Sequence, residues 1–219
     1  MNIIDLGTRD YKEVWDIQKI IHERRVDDMV DDTLFLVEHD HVLTLGKSGK
    51  RENLLIPEGM LEEKGIKYYE IERGGDITYH GPGQLVGYPI MNIKQGLAGV
   101  RPFIEHLEDM IIHTLGDFNV TGNKQYKMIG VWTDKGKICS IGVAVKHWVS
   151  LHGFALNVNT DLSYFHLIHP CGMPDITMTS MEKILGHQVN MHDVKLRLVK
   201  NFETVFNQEM TSRCLEKIL

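Results

Sequence analysis

The spacing of hydrophobic and polar positions changes several times along this chain, and each spacing predicts a helix or a strand. Val14, Ile17 and Ile21 recur at helical spacing. Asp10 and Glu13 precede them in the pattern of a capping box, so a helix is predicted to begin just after Asp10. Similar patterns predict helices at 57–64, 102–115, 181–185 and 191–205, and strands at 33–37, 42–45, 67–72, 85–93, 128–133, 138–145 and 148–158.

The order of these elements limits the fold class. Strands and helices mix without the strict alternation of a parallel α/β fold. We therefore predict an α+β fold, a two-layer α/β arrangement in which helices pack on a mixed, largely antiparallel sheet. No repeat, low-complexity tract or Pro/Ser-rich linker divides the sequence, so residues 1–219 are expected to form a single catalytic domain.

Composition narrows the class of protein further. Hydrophobic residues make up 42% and charged residues 25% of the chain, which is typical of globular proteins. No apolar run reaches the ~18 residues of a membrane span, and no signal peptide is expected from the first residues. Cys139, Cys171 and Cys214 include no Cys-x-x-Cys pair. They therefore favour a reducing, cytoplasmic location over a disulfide framework or a structural zinc site.

Charge is distributed unevenly. The formal net charge of −6 argues against broad nucleic-acid binding. Residues 121–150, by contrast, carry five lysines and one acidic residue. This stretch is either a basic face that steers an acidic partner or an ordinary solvated surface.

A glycine-rich segment at 73–84 is the first candidate for chemistry. It reads Arg-Gly-Gly-Asp-Ile-Thr-Tyr-His-Gly-Pro-Gly-Gln, with four glycines and one proline in twelve residues. Glycine permits positive φ angles and close approach of the backbone to a ligand. The segment lacks the Gly-x-Gly-x-x-Gly pattern of dinucleotide sites. We interpret it as a binding loop, with an ordinary turn between two strands as the alternative.

Two further residues suggest reactivity. Cys171 lies in His-Pro-Cys-Gly-Met-Pro, a rigid irregular loop, where a thiolate would be a good nucleophile for acyl groups. An inert buried thiol is the alternative, and this is our interpretation of Cys139 in its apolar strand. Lys137 follows an Asp-Lys-Gly turn and by itself suggests only a solvated lysine.

Twelve histidines raise the question of a metal. No His-Glu-x-x-His motif and no zinc-type spacing occurs, so no metal cofactor is expected. Gly46-Lys47-Ser48 has His41 where a nucleotide P-loop requires glycine, which excludes that motif.

Four blocks taken together resemble one family. They are 73–84, Lys-Ile-x-Ser-Ile-Gly at 137–142, His-Gly-Phe-Ala-Leu-Asn at 152–157 and Pro-Cys-Gly at 170–172. In order and spacing they are similar to the lipoyl(octanoyl) transferases, over residues 33–185. Asp76 stands where that family leads us to expect glutamine, and Cys139 where we expect a small residue such as alanine.

The resemblance implies the fold of the biotin and lipoate protein ligases and an acyltransferase activity in lipoate biosynthesis. An octanoyl group would move from acyl carrier protein to a lysine of a lipoyl domain. Cys171 would carry it as a thioester, and Lys137 would favour the thiolate. Small residues would leave room for the acyl chain. The implied acyl site comprises Arg73, Gly74, Gly75, Asp76, Ile77, Thr78, Tyr79, His80, Ser140, Ile141, Gly142, Gly153, Phe154 and Ala155.

The expected partners are octanoyl acyl carrier protein, the lipoyl domains of 2-oxoacid dehydrogenases and the glycine cleavage H protein. No cofactor, nucleic acid or membrane is expected, and the protein is expected to be a monomer. Three alternatives stay open: an ATP-dependent lipoate or biotin ligase of the same fold, a non-catalytic histidine-rich binding protein, and a cysteine hydrolase. In the last, the base would be His80, His152 or His169.

Overall fold

The computed structural model describes residues 1–94 and 99–219. The helices within these ranges are α1 (Tyr11–Val26), α2 (Glu58–Glu63), α3 (Val100–Gly116), α4 (Met181–Leu185) and α5 (Met191–Phe206). The strands are β1 (Asn2–Arg9), β2 (Thr33–His39), β3 (Val42–Leu45), β4 (Lys67–Glu70), β5 (Ile77–His80), β6 (Gln84–Ile90), β7 (Asn123–Gln125), β8 (Met128–Thr133), β9 (Gly136–Lys146), β10 (Val149–Asn157) and β11 (Thr211–Ser212).

These strands form one large and one small sheet. The large sheet has the order β11-β1-β2-β6-β10-β9-β8-β7. Strand β1 pairs in parallel with β11 and β2, whereas the remaining neighbours are antiparallel. The small sheet has the order β4-β3-β5. The predicted α+β class with a mixed, largely antiparallel sheet is confirmed.

Hydrophobic cores lie on both faces of the large sheet. Along β2, Leu34 and Leu36 face the core formed with α3 and α5, and Phe35 and Val37 face the core formed with α1. Side chains alternate between the faces of a strand, so a strand that is apolar at every position is buried on both. Helices therefore pack on both faces of the large sheet, with α3 and α5 on one face and α1 on the other.

Most predicted elements are present with small shifts of their ends. The hairpin formed by β8 and β9 around Asp134 lies where the sequence predicted it. Residues 77–80, predicted as part of the glycine-rich loop, instead form the buried strand β5. Strands β1, β7 and β11 were not predicted. Among the described residues, none of the helices combines the length and apolarity needed to cross a membrane.

Candidate active site

The side chains of Cys171 and Lys137 meet in the folded protein. Lys137 Nζ lies 3.1 Å from Cys171 Sγ. The backbone brings them together, because the segment after Cys171 pairs with the start of β9. The Lys137 amide donates to Thr177 O, and the Thr179 amide donates to Lys137 O, both at 2.9 Å. A strand-start lysine and a loop cysteine thus become neighbours.

The Lys137 amine is held in a defined position. Lys137 is buried, with only 3% of the residue exposed. Besides the thiol, Nζ contacts Ile129 O at 2.9 Å, and it lies 5.3 Å from the centre of the Trp132 ring. An ammonium has three protons to donate and is attracted to the face of an indole. The surroundings of Lys137 therefore suit a charged amine.

Cys171 adopts an unusual backbone conformation. Its φ of +58° and ψ of 20° lie in the left-handed region, which costs roughly 1–2 kcal/mol for a residue other than glycine. Two hydrogen bonds within the loop maintain the turn, from Gly172 N to His169 O (2.9 Å) and from Met173 N to Pro170 O (3.1 Å). The turn leaves the thiol partly exposed beside Lys137.

The other two thiols differ from Cys171 in their surroundings. Cys139 lies fully buried in the core of the large sheet, as predicted, and burial raises the pKa of its thiol to about 12. Cys214 is exposed near the end of the chain. Of the three thiols, Cys171 alone is the one placed against a cation.

A cavity of about 460 Å³ opens beside the Cys171–Lys137 pair. All members of the predicted acyl site except Tyr79 line it. Strand β5 alternates, so Thr78 and His80 face the cavity while Tyr79 faces the opposite side. The Tyr79 hydroxyl lies 2.8 Å from His41 Nδ1, and its ring stacks on Tyr164. Tyr79 is thus part of the core beneath the small sheet.

Arg73 places a buried cation in the cavity wall. Its guanidinium donates to Thr44 O at 2.7 Å and to Gly74 O at 3.0 Å. Burial lowers the pKa of Arg73, whose guanidinium nonetheless stays charged at neutral pH. The next residue, Gly74, donates its amide to Val143 O at 2.9 Å and so ties the glycine-rich segment across β9.

Two glycines have a role besides the predicted one. A Cβ at Gly142 would lie 3.0 Å from Gly74 O, and one at Gly153 would lie 2.1 Å from Gly87 O. Both positions therefore allow close approach of neighbouring backbone segments. Both glycines also line the cavity, in agreement with their place in the predicted acyl site.

Sequence reasoning missed several cavity residues, because they come from distant elements. Tyr11 lies at the start of α1 and stacks on His80 with a centroid separation of 5.8 Å. Its one local signal is its place at the head of an apolar helix stripe. The missed lining residues are Tyr11, Val86, Tyr88, Val100, Ile104, Lys127, Met128, Ile129, Val143 and Met173.

Two buried histidines, His80 and His152, line the cavity and are neutral at neutral pH. His80 donates from Nδ1 to Gln84 Oε1 at 2.8 Å, and burial lowers its pKa to about 3. Burial also lowers the pKa of His152. In the ranges 1–94 and 99–219, no histidine hydrogen-bonds the Cys171 thiol, and no group of three potential metal ligands lies together.

His152 lines the cavity and lies close to the carboxylate of Glu72, which is not a lining residue. Its Nε2 is 3.6 Å from Glu72 Oε2, beyond normal hydrogen-bond length. Burial alone would raise the pKa of Glu72. The dipole of the nearby neutral His152 ring and the hydrogen bond from Trp15 Nε1 outweigh burial and lower that pKa to about 2. Glu72 is therefore ionised at neutral pH.

The lysine-rich stretch 121–150 is less basic in space than in sequence. Lys137 is buried in the site, Lys124 pairs with Asp109 at 2.8 Å, and Lys135 lies 3.5 Å from Asp134. Lys127 lines the cavity next to the exposed ring of Tyr126. Of the lysines in this stretch, Lys127 is the exposed one that lines the cavity, and Lys137 is the buried one.

Known proteins are similar to this chain over most of its length. Residues 10–203 match the family described as the lipoyl protein ligase A/B catalytic domain. The chain belongs to this family. An octanoyltransferase from Syntrophobacter fumaroxidans is 42% identical over 216 residues, which cover 99% of this chain and 95% of that protein. One from Flavobacterium psychrophilum is 43% identical over 220 residues, covering 93% of this chain and 95% of that protein.

Solved structures show the lipoyl protein ligase A/B fold in more distant proteins. A bi-partite lipoate protein ligase from Thermoplasma acidophilum has a TM-score of 0.73 at 14% identity, covering 99% of this chain and 89% of that one. Biotin protein ligase from Aquifex aeolicus has a TM-score of 0.53 at 13% identity, covering 94% and 69%. The predicted likeness to the biotin and lipoate protein ligase catalytic domains is confirmed.

Proposed function

We propose that this chain transfers an octanoyl group from acyl carrier protein to a lysine of a lipoyl domain, through a thioester on Cys171. The contact of 3.1 Å between Lys137 Nζ and Cys171 Sγ beside a largely apolar cavity carries the proposal. The full-length similarity to octanoyltransferases supports the choice of acyl group and of reaction.

The first step exchanges one thioester for another. A neighbouring ammonium favours the thiolate of Cys171, and the thiolate attacks the carbonyl carbon of the octanoyl thioester. A carbon–sulfur bond to Cys171 forms, and the bond to the carrier sulfur breaks. Lys137 gives its proton to the departing carrier thiolate and becomes a neutral amine.

The second step transfers the acyl group to nitrogen. The neutral amine of the substrate lysine attacks the Cys171 thioester, and Lys137 takes the proton that this nitrogen loses. The amide bond forms, the bond to sulfur breaks, and the thiolate–ammonium pair is restored. Because His80 and His152 are buried with lowered pKa values and do not contact the thiol, Lys137 is the better base.

The cavity fits an acyl chain in chemistry and size. Its walls include Phe154, Ala155, Val86 and Ile104, and its volume is about 460 Å³. Burial of an octanoyl chain contributes roughly 0.8 kcal/mol per methylene. The lining residues of the predicted acyl site, apart from Tyr79, take the binding role in this proposal.

Both substrates of the proposed reaction are groups on proteins. Acyl carrier protein would present its thioester at the open end of the cavity, and the lipoyl domain of a 2-oxoacid dehydrogenase or the glycine cleavage H protein would present its lysine at the same end. Since acyl-enzyme forms from a thioester, no ATP is needed. The free thiol of Cys171 suits the reducing cytoplasm.

Intact mass after incubation with octanoyl carrier protein, without ATP, tests the proposal. We expect one added octanoyl group that hydroxylamine removes. Cys171→Ala should abolish the adduct, and Cys139→Ala and Cys214→Ala should retain it. Labelling that persists in Cys171→Ala, or that requires octanoate and ATP, would refute the proposal. The second result would favour a ligase, and release of free octanoate would favour a hydrolase.

A further inference from the structure

The loop that carries Cys171 rests on a pair of polar side chains outside the sulfur–nitrogen contact. Asn53 Nδ2 donates to Asp76 Oδ2 at 2.8 Å. The other carboxylate oxygen of Asp76 accepts the amide of Ile77 at 2.6 Å. One oxygen of Asp76 is thus bound at the start of β5, and the other accepts from Asn53.

Asn53 connects this pair to the loop through its backbone. Asn53 O accepts the amide of His169 at 2.7 Å, two residues before Cys171. The neighbouring residues continue the contact, since Leu55 N donates to Leu167 O at 2.8 Å. The segment 53–55 therefore follows the chain as it enters the loop.

The same two side chains also press against the residue after Cys171. A Cβ at Gly172 would lie 2.6 Å from Asp76 Oδ2 and 3.2 Å from Asn53 Nδ2. Gly172 has a φ of +71°, next to the left-handed Cys171. The pair thus contacts the loop on both sides of the thiol, through His169 before it and Gly172 after it.

We propose that Asn53 and Asp76 form a positioning pair that holds the left-handed turn of Cys171 against Lys137. This inference rests on the proposed role of Cys171 as nucleophile. Two amide hydrogen bonds hold the turn from within. The contacts with the pair further offset the conformational free energy that the left-handed backbone of Cys171 costs. Neither side chain touches the reacting sulfur, so their effect acts through the loop.

The pair also explains why aspartate is suitable at a position where glutamine was expected. The short side chain lets one oxygen accept the amide of the next residue while the other reaches Asn53. A side chain longer by one methylene would be pushed toward Gly172, where Asp76 Oδ2 already lies close. In this inference Asp76 acts as a positioning residue through its contacts with Ile77 and Asn53, in addition to lining the cavity.

The test measures the rate of acyl-enzyme formation from octanoyl carrier protein in Asn53→Ala, Asp76→Ala and the double variant. We expect each single variant to lower the rate at saturating carrier about tenfold, a loss of about 1.4 kcal/mol. The half-saturating concentration should stay unchanged. The double variant should be no slower than either single one, because both break the same contact.

Asp76→Asn distinguishes a positioning role from general destabilisation. Asparagine at this position can accept the Ile77 backbone amide through its side-chain oxygen. Its side-chain NH₂ can donate to Asn53 Oδ1 once the side-chain amide of Asn53 is flipped. We expect it to restore the rate to within about threefold of the unchanged protein. Asn201→Ala is the matched control, since it removes an Asn–Asp hydrogen bond of 2.9 Å on the surface between α5 and α3.

The outcomes separate this inference from the proposed function. If the unchanged protein forms acyl-enzyme and the single variants match it, the positioning role is wrong and the proposed function stands. Additive losses in the double variant, or equal losses in Asp76→Asn and Asp76→Ala, would also overturn it. If the unchanged protein forms no acyl-enzyme, both proposals fail.

Discussion

At the residue scale, the proposed chemistry depends on one buried lysine and on one cysteine whose backbone is in the left-handed region. Lys137 is 3% exposed and within 3.1 Å of the Cys171 sulfur. Cys139, only two residues from Lys137, has its thiol pKa raised to about 12 by burial. The two thiols thus differ in burial and in direct contact with Lys137, because Cys139 is fully buried whereas Cys171 is partly exposed and contacts Lys137 Nζ.

Replacing Lys137 by alanine should slow alkylation of Cys171 by iodoacetamide. Loss of a cation at this distance from sulfur removes the stabilisation of the thiolate, so we expect a rate at neutral pH lower by about tenfold or more. Raising the pH should restore much of the rate, because thiolate then forms unaided. The measurement is alkylation rate against pH, and superimposable profiles for the two proteins would contradict the prediction.

Lys137→Arg should separate the two proposed roles of this residue. Arginine keeps a positive charge but cannot act as a base near neutral pH. We expect acyl-enzyme to form, at a reduced rate, and transfer to the lipoyl domain to be largely lost. Single-turnover transfer from isolated acyl-enzyme measures this. Transfer at the rate of the unchanged protein would mean that Lys137 does not take the amine proton.

At the element scale, helix α1 supports the cavity from outside the four sequence blocks. Asp10 caps it by accepting the amides of Lys12 (2.9 Å) and Glu13 (3.2 Å). The first residue of the helix, Tyr11, lines the cavity. Stability of this helix start and shape of the site are therefore linked.

Asp10→Ala should lower the free energy of unfolding by about 1 kcal/mol, the usual cost of losing an N-cap. Urea denaturation at neutral pH measures this. Asp16→Ala is the control, because it removes an exposed ion pair to Lys12 in the same helix and should cost less than about 0.5 kcal/mol.

The effect of Asp10 should also depend on pH. Burial would raise its pKa, but hydrogen bonds from Lys67 and from the helix N-terminus outweigh it and lower the pKa below 3.8. A lowered folded-state pKa means that the stabilisation is present above the unfolded value and is lost as the pH falls through the folded value. The difference between Asp10→Ala and the unchanged protein should thus shrink below pH 3.8. A constant difference would contradict the ionic contribution.

At the scale of the whole molecule, the protein has a formal net charge of −6, whereas a lysine lies at the cavity. Three of the five lysines in the predicted basic stretch are paired or buried. Lys124 and Lys135 lie beside acidic side chains, and Lys137 is buried. Lys127 remains at the mouth beside Tyr126, which is 87% exposed. Lys127 is therefore the exposed lysine of this stretch that lines the cavity.

Lys127→Glu should raise the apparent Michaelis constant for octanoyl carrier protein at low salt, by about threefold or more, with little change at high salt. Charges at the rim of an interface act mainly on the rate of encounter. Lys200→Glu, on α5 away from the cavity, makes the same change in net charge and should have no effect. Equal behaviour of the two variants would show that Lys127 does not steer the carrier.

The sequence by itself determined the fold class and the reactive segments, because both depend on local patterns. Period-two and helical spacing predicted most strands and helices. Of the sixteen predicted site residues, all of which lie in the four blocks, fifteen line the cavity. The exception was Tyr79, because strand alternation turns it to the other face once 77–80 is a strand and not a loop.

Only the tertiary structure decided which distant groups act together. The contact of Lys137 with Cys171 depends on backbone pairing of β9 with residues 177–179, a register that no local pattern specifies. Tyr11 in the cavity wall and Asn53 beside the Cys171 loop likewise come from elements far away in the chain. Local spacing encodes which residues share an element, whereas packing of elements brings their side chains within reach of one another.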